Sequence, residues 1–301
     1  MTKVHHAIGI PGQAWQDKEK QSWLKQQTKE RSYQDEVLAK LNTLSADFER
    51  VNYGDLNVNL VRYPLYAMIS KQWQASNKNI LVTGGVHGYE TSGVQGAIRF
   101  LQTHAKSLVK QYNIVVIPCV SPWGYETINR WNDLAIDPNR SFYKNSPAQE
   151  SLLLMTFLDE LDISFTMHID LHETTDTDNS TFRPALSARD AIEQKNWNIP
   201  DGFYLVGDST KPAANFQQAI IKAVSEVTHI APADEAGKLI GVDIEQFGVI
   251  NYAGRALGLC MGLTDAQYVT TTEVYPDSPL VDDENCINAQ VAAILAAIQF
   301  I

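Results

Sequence analysis

The spacing of hydrophobic positions changes near residue 48. Between residues 13 and 47, Trp15, Trp23, Leu24, Val37, Leu38, Leu41 and Leu44 stand at loosely helical intervals in a polar stretch. This predicts one or two amphipathic helices lying on a larger body. From Phe48 onward short extended segments take over. Asn57–Tyr63 alternates, Tyr66–Ser70 is apolar, and Asn79–Thr83 runs directly into Gly84-Gly85. A helix is then expected at about Tyr89–Thr103, a strand at Asn113–Val120, a helix at Ala148–Leu161 and a strand at Ile163–Leu171. The remainder predicts a strand at Gly202–Val206, a helix at Pro212–Val227, a strand near Val249–Tyr252, a buried strand at Tyr268–Val274 and a closing helix from about Asp282 to Phe300.

Strands alternating with helices predict an α/β fold with a mixed, mostly parallel central sheet and helices on both faces. Sites in such sheets lie at the carboxyl ends of the strands. No internal repeat or low-complexity stretch divides the chain. The expected organisation is a helical extension, residues 1–47, packed on a main domain, residues 48–301.

Composition narrows the partners. The 301 residues are 44% hydrophobic, enough for a large core, and 24 Lys+Arg against 35 Asp+Glu leave a net charge of −11. That field repels a phosphate backbone, so no nucleic acid partner is expected. No apolar run approaches the roughly 20 residues that cross a bilayer, so no membrane partner is expected either. The first twelve residues lack the apolar stretch of a secretory leader. Cys119, Cys260 and Cys286 are widely spaced, with no C-x-x-C pair. Together these features predict a cytoplasmic protein without a disulfide framework. Oligomeric state is not readable.

Several motifs are missing: the phosphate-binding G-x-x-x-x-G-K-[ST] loop, G-x-G-x-x-G, the G-x-S-x-G elbow and H-E-x-x-H. His172-Glu173 starts like the last of these, but Asp176 stands in the fifth position. Four other pieces carry the candidate chemistry. The first is His87-Gly88-Tyr89-Glu90, between a strand and a helix, where an imidazole and a carboxylate three residues apart can converge as zinc-compatible donors. The second is His168-Ile169-Asp170-Leu171-His172, at a strand's end. Strand period two puts the two histidines and Asp170 on one face. His172, nearest the end, is the natural third ligand, and His168 reads as a packed histidine that is next in line. Asp170 is suited to orienting a ligand or capping the next turn. The third is Asn129-Arg130-Trp131-Asn132-Asp133 followed by Asp137-Pro138-Asn139-Arg140, whose guanidinium forks suit an anionic substrate group. The fourth is Glu273, a carboxylate among β-branched residues of a buried strand, where burial demands a partner or a task.

Taken together and in this order, these pieces resemble the M14 zinc carboxypeptidase family and its relatives over about residues 50–300. Ser121-Pro122-Trp123-Gly124 is similar to the family's Asn-Pro-Asp-Gly-like turn. The resemblance implies a zinc carboxypeptidase-like fold, with residues 48–301 as the catalytic domain. It also implies one zinc ion per chain on His87, Glu90 and His172, with Asp137 hydrogen-bonded to the first histidine. Asn139 and Arg140 would grip a substrate carboxylate, Arg130 would polarise the scissile carbonyl, and Glu273 would act as general base and acid on water activated by zinc. Tyr252 stands where a substrate-contacting tyrosine is expected, though packing near its strand explains it equally well.

Two activities share this scaffold. The first is a metallopeptidase removing a C-terminal residue from a small peptide. The alternative is an N-acyl amino acid deacylase of the succinylglutamate desuccinylase and aspartoacylase type. Gly85-x-His87-Gly88-x-Glu90, Asp170-Leu171-His172-x-Thr174 and Thr272-Glu273-Val274 are closer to the deacylase spelling. Against it, the last 20 residues read as a single helix, where that branch carries a β-rich domain. A non-catalytic metal-binding module is a third reading, disfavoured because all three ligand residues and Glu273 are present.

Overall fold

The computed structural model describes residues 6–44, 46–58 and 61–301. Its centre is an eight-stranded sheet built from β1 (Phe48–Val58), β2 (Val61–Ser70), β3 (Lys78–Gly84), β4 (Tyr112–Ile117), β5 (Met167–Glu173), β6 (Tyr204–Asp208), β9 (Val249–Tyr252) and β10 (Tyr268–Val274). Their order across the sheet is β1-β2-β4-β3-β5-β10-β6-β9. Two short strands, β7 (Lys238–Leu239) and β8 (Val242–Asp243), pair separately. β4, β3, β5 and β10 run parallel, as do β6 and β9, while β1/β2, β2/β4 and β10/β6 are antiparallel. The sheet is therefore mixed and mostly parallel.

Side-chain alternation along the central strands divides the core in two. Ile80, Val82, Ile114, Val116, Ile169 and Leu171 face one layer, with the helices Thr91–Phe100, Ala214–Val224 and Asp283–Phe300. Leu81, Val115 and Ile117 face the other, with Leu154, Phe157 and Leu158 of the helix Gln149–Leu161. Helices on both faces explain why the central strands are apolar on both sides. Asp282 caps the closing helix by accepting from Asn285 N at 2.8 Å.

Three elements differ from the sequence reading. Asn57–Tyr63 is not one strand: β1 ends at Val58 and β2 begins at Val61, paired antiparallel, so the alternation belongs to the two arms of a hairpin. Residues 59 and 60 lie outside the described set. Ser121–Gly124 opens a short helix, Pro122–Thr127. The segment from Asp178 to Asp190 is also helical, beginning with a wide turn over Asp178–Phe182 and continuing as Arg183–Asp190 with Pro184 in its first turn. Ahead of the sheet, Asp17–Leu24 forms a helix and residues 34–44 form helical turns. Trp15 and Trp23 of this N-terminal segment meet Trp131, with ring centroids 6.1 and 5.5 Å apart. No described helix is long and apolar enough to cross a membrane.

Glu150, in the first turn of the helix Gln149–Leu161, is buried with Oε1 lacking any partner. Burial pushes its carboxyl from the ordinary 4.5 up to about 7. An acid whose folded pKa is raised destabilises the fold as pH climbs from its unfolded to its folded value. Glu150→Gln should therefore be nearly neutral in stability near pH 4.5 and stabilising at about pH 8, by up to ~3 kcal/mol. Thermal denaturation at the two pH values checks this; equal effects at both would refute it.

Candidate metal centre and substrate pocket

Three parallel strands bring the candidate residues together. β5 pairs with β3 on one side and β10 on the other, with Thr83 opposite Asp170 and Glu273 opposite His172. His172 and Glu273 thus sit side by side near the carboxyl ends of their strands. His87 and Glu90 come from the loop leaving β3. Gly85 makes the turn in the left-handed region, at φ +63°, where a Cβ would also stand 2.6 Å from Val94 Cγ2. Gly88 is needed for close approach, since a Cβ there would lie 2.1 Å from Tyr125 N and 2.2 Å from Gly124 C.

His87, Glu90 and His172 are all buried, and their donor atoms converge closely enough to hold one metal ion. Glu90 Oε1 lies 2.7 Å from His87 Nδ1, and Glu90 Oε2 lies 2.7 Å from His172 Nδ1. The second contact lacks hydrogen-bond geometry, so Oε2 is a buried carboxylate oxygen without a donor. Each imidazole presents Nδ1 to this point and is held from behind by an aspartate. His87 Nε2 is 2.9 Å from Asp137 Oδ1, and His172 Nε2 is 2.7 Å from Asp170 Oδ2. Those contacts suit the Nε2–H tautomers of the neutral rings, whose Nδ1 lone pairs would then face a bound metal. An N,N,O donor set with an orphaned oxygen fits a zinc-type ion.

The charges are mutually dependent. Burial alone would raise Glu90, but His172 and His87 hold its carboxyl at about 2. Burial would lower the His172 imidazole, yet Glu90 and Asp170 hold it well above the usual value. Asp137 is likewise held far down by His87 and Arg130 against the cost of burial. His168 stands outside the donor set. It contacts Thr83 Oγ1 at 3.0 Å, and burial lowers it to about 4, as suits a neutral packed histidine. Thr83 Oγ1 donates to Asp170 Oδ1 at 2.6 Å, so Asp170 is held on both oxygens.

A cavity of about 230 Å3 opens beside the donors, walled by His87, Arg130, Asn139, Arg140, Tyr252 and Glu273 among others. Arg130 is held by Asp137 Oδ2 at 3.3 Å and Asp178 Oδ1 at 3.5 Å, and its guanidinium lies 4.3 Å from the centre of the Phe182 ring. Asp137 also caps the tight turn Pro138–Arg140 by accepting from Asn139 N at 2.9 Å. Asn139 Oδ1 accepts from Cys260 N at 2.8 Å, which fixes its amide. Arg140 Nη1 donates to Asn139 O at 2.6 Å, and Arg140 makes no ion pair with a carboxylate among the described residues. Glu273 Oε2 accepts from Thr174 Oγ1 at 3.0 Å, and burial pushes its carboxyl up to about 8. Tyr252 lines the same cavity, its hydroxyl raised by burial.

Other wall residues escaped the sequence reading. Arg183 is buried, donating to Asn179 Oδ1 at 2.5 Å and to Asn198 O at 3.1 Å, and makes no ion pair with a carboxylate among the described residues. Asp178 and Tyr204 share the cavity wall, and Glu173 accepts from Ser92 N at 2.5 Å at the start of the helix that follows Glu90. Only the Pro184 helix start hinted at the segment carrying Arg183, and no motif marks it.

Residues 76–204 match the family model of the succinylglutamate desuccinylase/aspartoacylase catalytic domain. No curated protein matches the chain in sequence. Among solved structures, the chain is similar to a candidate metallopeptidase from Shewanella amazonensis SB2B, at 20% identity and a TM-score of 0.66 over 88% of this chain and 90% of that one. It is similar to a metallo-carboxypeptidase from Burkholderia cenocepacia, at 16% identity and 0.58 over 87% and 67%. A third is a metallo-carboxypeptidase from Pseudomonas aeruginosa in complex with (2-guanidinoethylmercapto)succinic acid, at 13% identity and 0.58 over 87% and 68%. The chain thus has a zinc carboxypeptidase-like fold of the M14 type. Within it, the match to the catalytic-domain model relates the chain to the desuccinylase and aspartoacylase branch.

Asp170 offers a test of the donor set. Asp170→Asn should leave the sheet intact while weakening metal binding roughly 10–100-fold, because His172 loses the acceptor that sets its tautomer. Competition with a chromophoric chelator measures this; unchanged affinity would remove Asp170 from the site.

Proposed function

We propose that the protein is a zinc-dependent hydrolase of amide bonds that releases an amino acid bearing a free carboxylate, acting as a carboxypeptidase on small peptides. The observation that carries this reading is one cavity lined by His87 of the His87/Glu90/His172 donor set, by the Glu273 carboxylate and by the Arg140 guanidinium, which makes no ion pair with a carboxylate among the described residues. Zinc held there would supply a Lewis acid that polarises the carbonyl and acidifies water.

The chain's own residues supply the rest. A substrate carboxylate would pair with Arg140 beside the fixed Asn139 amide, which sets the distance from the terminal group to the scissile bond. Glu273, raised towards neutrality by burial, would take a proton from the attacking water and return it to the leaving nitrogen. Arg130 reaches the cavity with its charge held in place by Asp137 and Asp178, ready to face developing negative charge on the carbonyl oxygen. Tyr252 would close the wall against the bound residue. A second cavity of about 720 Å3 shares Arg130, Arg140, Phe182 and Leu186 with the first and extends to Trp15 and Lys20, giving room for the rest of a peptide. The N-terminal segment would thus wall the substrate groove, and residues 48–301 would form the catalytic domain.

Deacylation of N-acyl amino acids is the second reading, supported by the match of residues 76–204 to the desuccinylase/aspartoacylase model. Arg183 bears on both. A buried guanidinium without a carboxylate calls for one, so a substrate with an acidic side chain is favoured despite the net charge of −11. The three buried thiols without disulfides fit a reducing, cytoplasmic setting.

Two measurements test the reading. Zinc-loaded protein incubated with short peptides and N-acyl amino acids, each with neutral and acidic residues, should release free amino acid detectable by mass spectrometry. Release from peptides supports the first reading, release from acyl amino acids alone the second, and release from neither refutes both. Glu273→Gln should retain about one zinc per chain and lose several orders of magnitude in turnover. His172→Ala should lose the zinc, and full metal retention would move the third ligand to another residue.

A further inference from the structure

We propose that Arg31, in the N-terminal segment outside the family resemblance, is a positioning residue for the loop that carries His87 and Glu90. The proposal rests on the metal-site reading above. Arg31 Nη2 donates to Gly88 O at 2.8 Å and Tyr89 O at 3.3 Å, the carbonyls of the two residues between the candidate ligands. Its Nη1 donates to Thr91 Oγ1 at 2.7 Å, on the first residue of the following helix, and Nε donates to Tyr125 O at 2.6 Å. One planar fork therefore spans the His87–Glu90 loop and ties it to the neighbouring helix Pro122–Thr127. The guanidinium also stacks on the Tyr125 ring, 3.6 Å from its centre.

The fork is itself held firmly. The backbone N–H groups of Glu30 and Arg31 donate to Glu126 O at 2.7 and 3.2 Å. The buried Glu126 carboxylate takes Tyr33 N at 2.8 Å, Lys29 Nζ at 2.6 Å and Tyr63 OH at 3.1 Å. Glu36 Oε2 accepts from Tyr125 OH at 2.7 Å, fixing the ring on which Arg31 rests. These bonds join the N-terminal segment to a loop whose donors must converge within tenths of an ångström for a metal to bind well.

Electrostatics gives this role a distinctive sign. A cation near a divalent metal opposes it, so if Arg31 acted by charge alone, removing it would tighten metal binding. Positioning predicts the reverse. A purely structural clamp would lower thermal stability and leave the affinity of the folded protein unchanged.

The experiment measures zinc affinity of the full-length protein by chelator competition, with circular dichroism and the thermal midpoint of the metal-free form in parallel. R31A should remain folded and bind zinc roughly 10–100-fold more weakly. R31K, which keeps the charge but not the fork, should weaken binding nearly as much. Millimolar guanidinium ion should restore affinity to R31A. Wild-type or tighter affinity in folded R31A overturns the proposal. If R31A fails to fold, R31K carries the test, and wild-type affinity there overturns it equally. Absence of zinc binding by the wild-type protein would refute the metal reading itself, and this role with it.

Discussion

Buried charge is the constraint that organises this molecule. Glu90, Asp137, Asp170, His87 and His172 lie almost wholly out of solvent at the carboxyl ends of parallel strands, where an isolated ionised group is prohibitively costly. They are tolerated because each meets an opposite charge or a hydrogen bond. Glu90 lies between the two imidazoles, and each imidazole is backed by an aspartate. Removing any one member leaves a partner unpaired, so the cluster holds together as a unit.

The supports of that cluster come from distant parts of the chain. Thr83 on β3 holds Asp170 on β5, Arg130 holds Asp137, and Glu173 meets the start of the helix that follows Glu90. Gly88 lets the His87–Glu90 loop press against the helix Pro122–Thr127, and Arg31 bridges the same junction from the N-terminal segment. The cluster is thus held on strands, a close-packed loop and a segment far off in sequence.

Around this rigid centre the cavity wall sets three arginines, Arg130, Arg140 and Arg183, beside the carboxyls of Glu173, Asp178 and Glu273, in a protein of net charge −11. Arg130 is paired with Asp137 and Asp178, whereas among the described residues Arg140 and Arg183 make no ion pair with a carboxylate. The local field, not the total charge, governs which ligand such a wall attracts.

Much of this was readable from local pattern. Alternation and period located most of the strands and helices, because each burial face leaves its own spacing. Tyr268–Val274 matches β10 residue for residue, and the closing helix begins at the Asp282 cap. His87, Glu90, Asp137, Asn139, Arg140, His172 and Glu273 stood out because short motifs at strand ends concentrate rare residue types. The hairpin hidden in Asn57–Tyr63 did not, since alternation continues through both arms of a tight turn. Arg31 carried no local signal, and Arg183 only the helix start at Pro184. Arg31 meets residues 57 and more positions away, and Arg183, bonded to Asn179 in its own helical segment and to Asn198 beyond it, is buried by packing around its helix. Residue types, their spacing and the likeness to a family are properties of the sequence. Which histidine nitrogen faces the site, which guanidinium lacks a partner and what braces the ligand loop depend on strand register and long-range packing, because those alone bring separated side chains within hydrogen-bond reach.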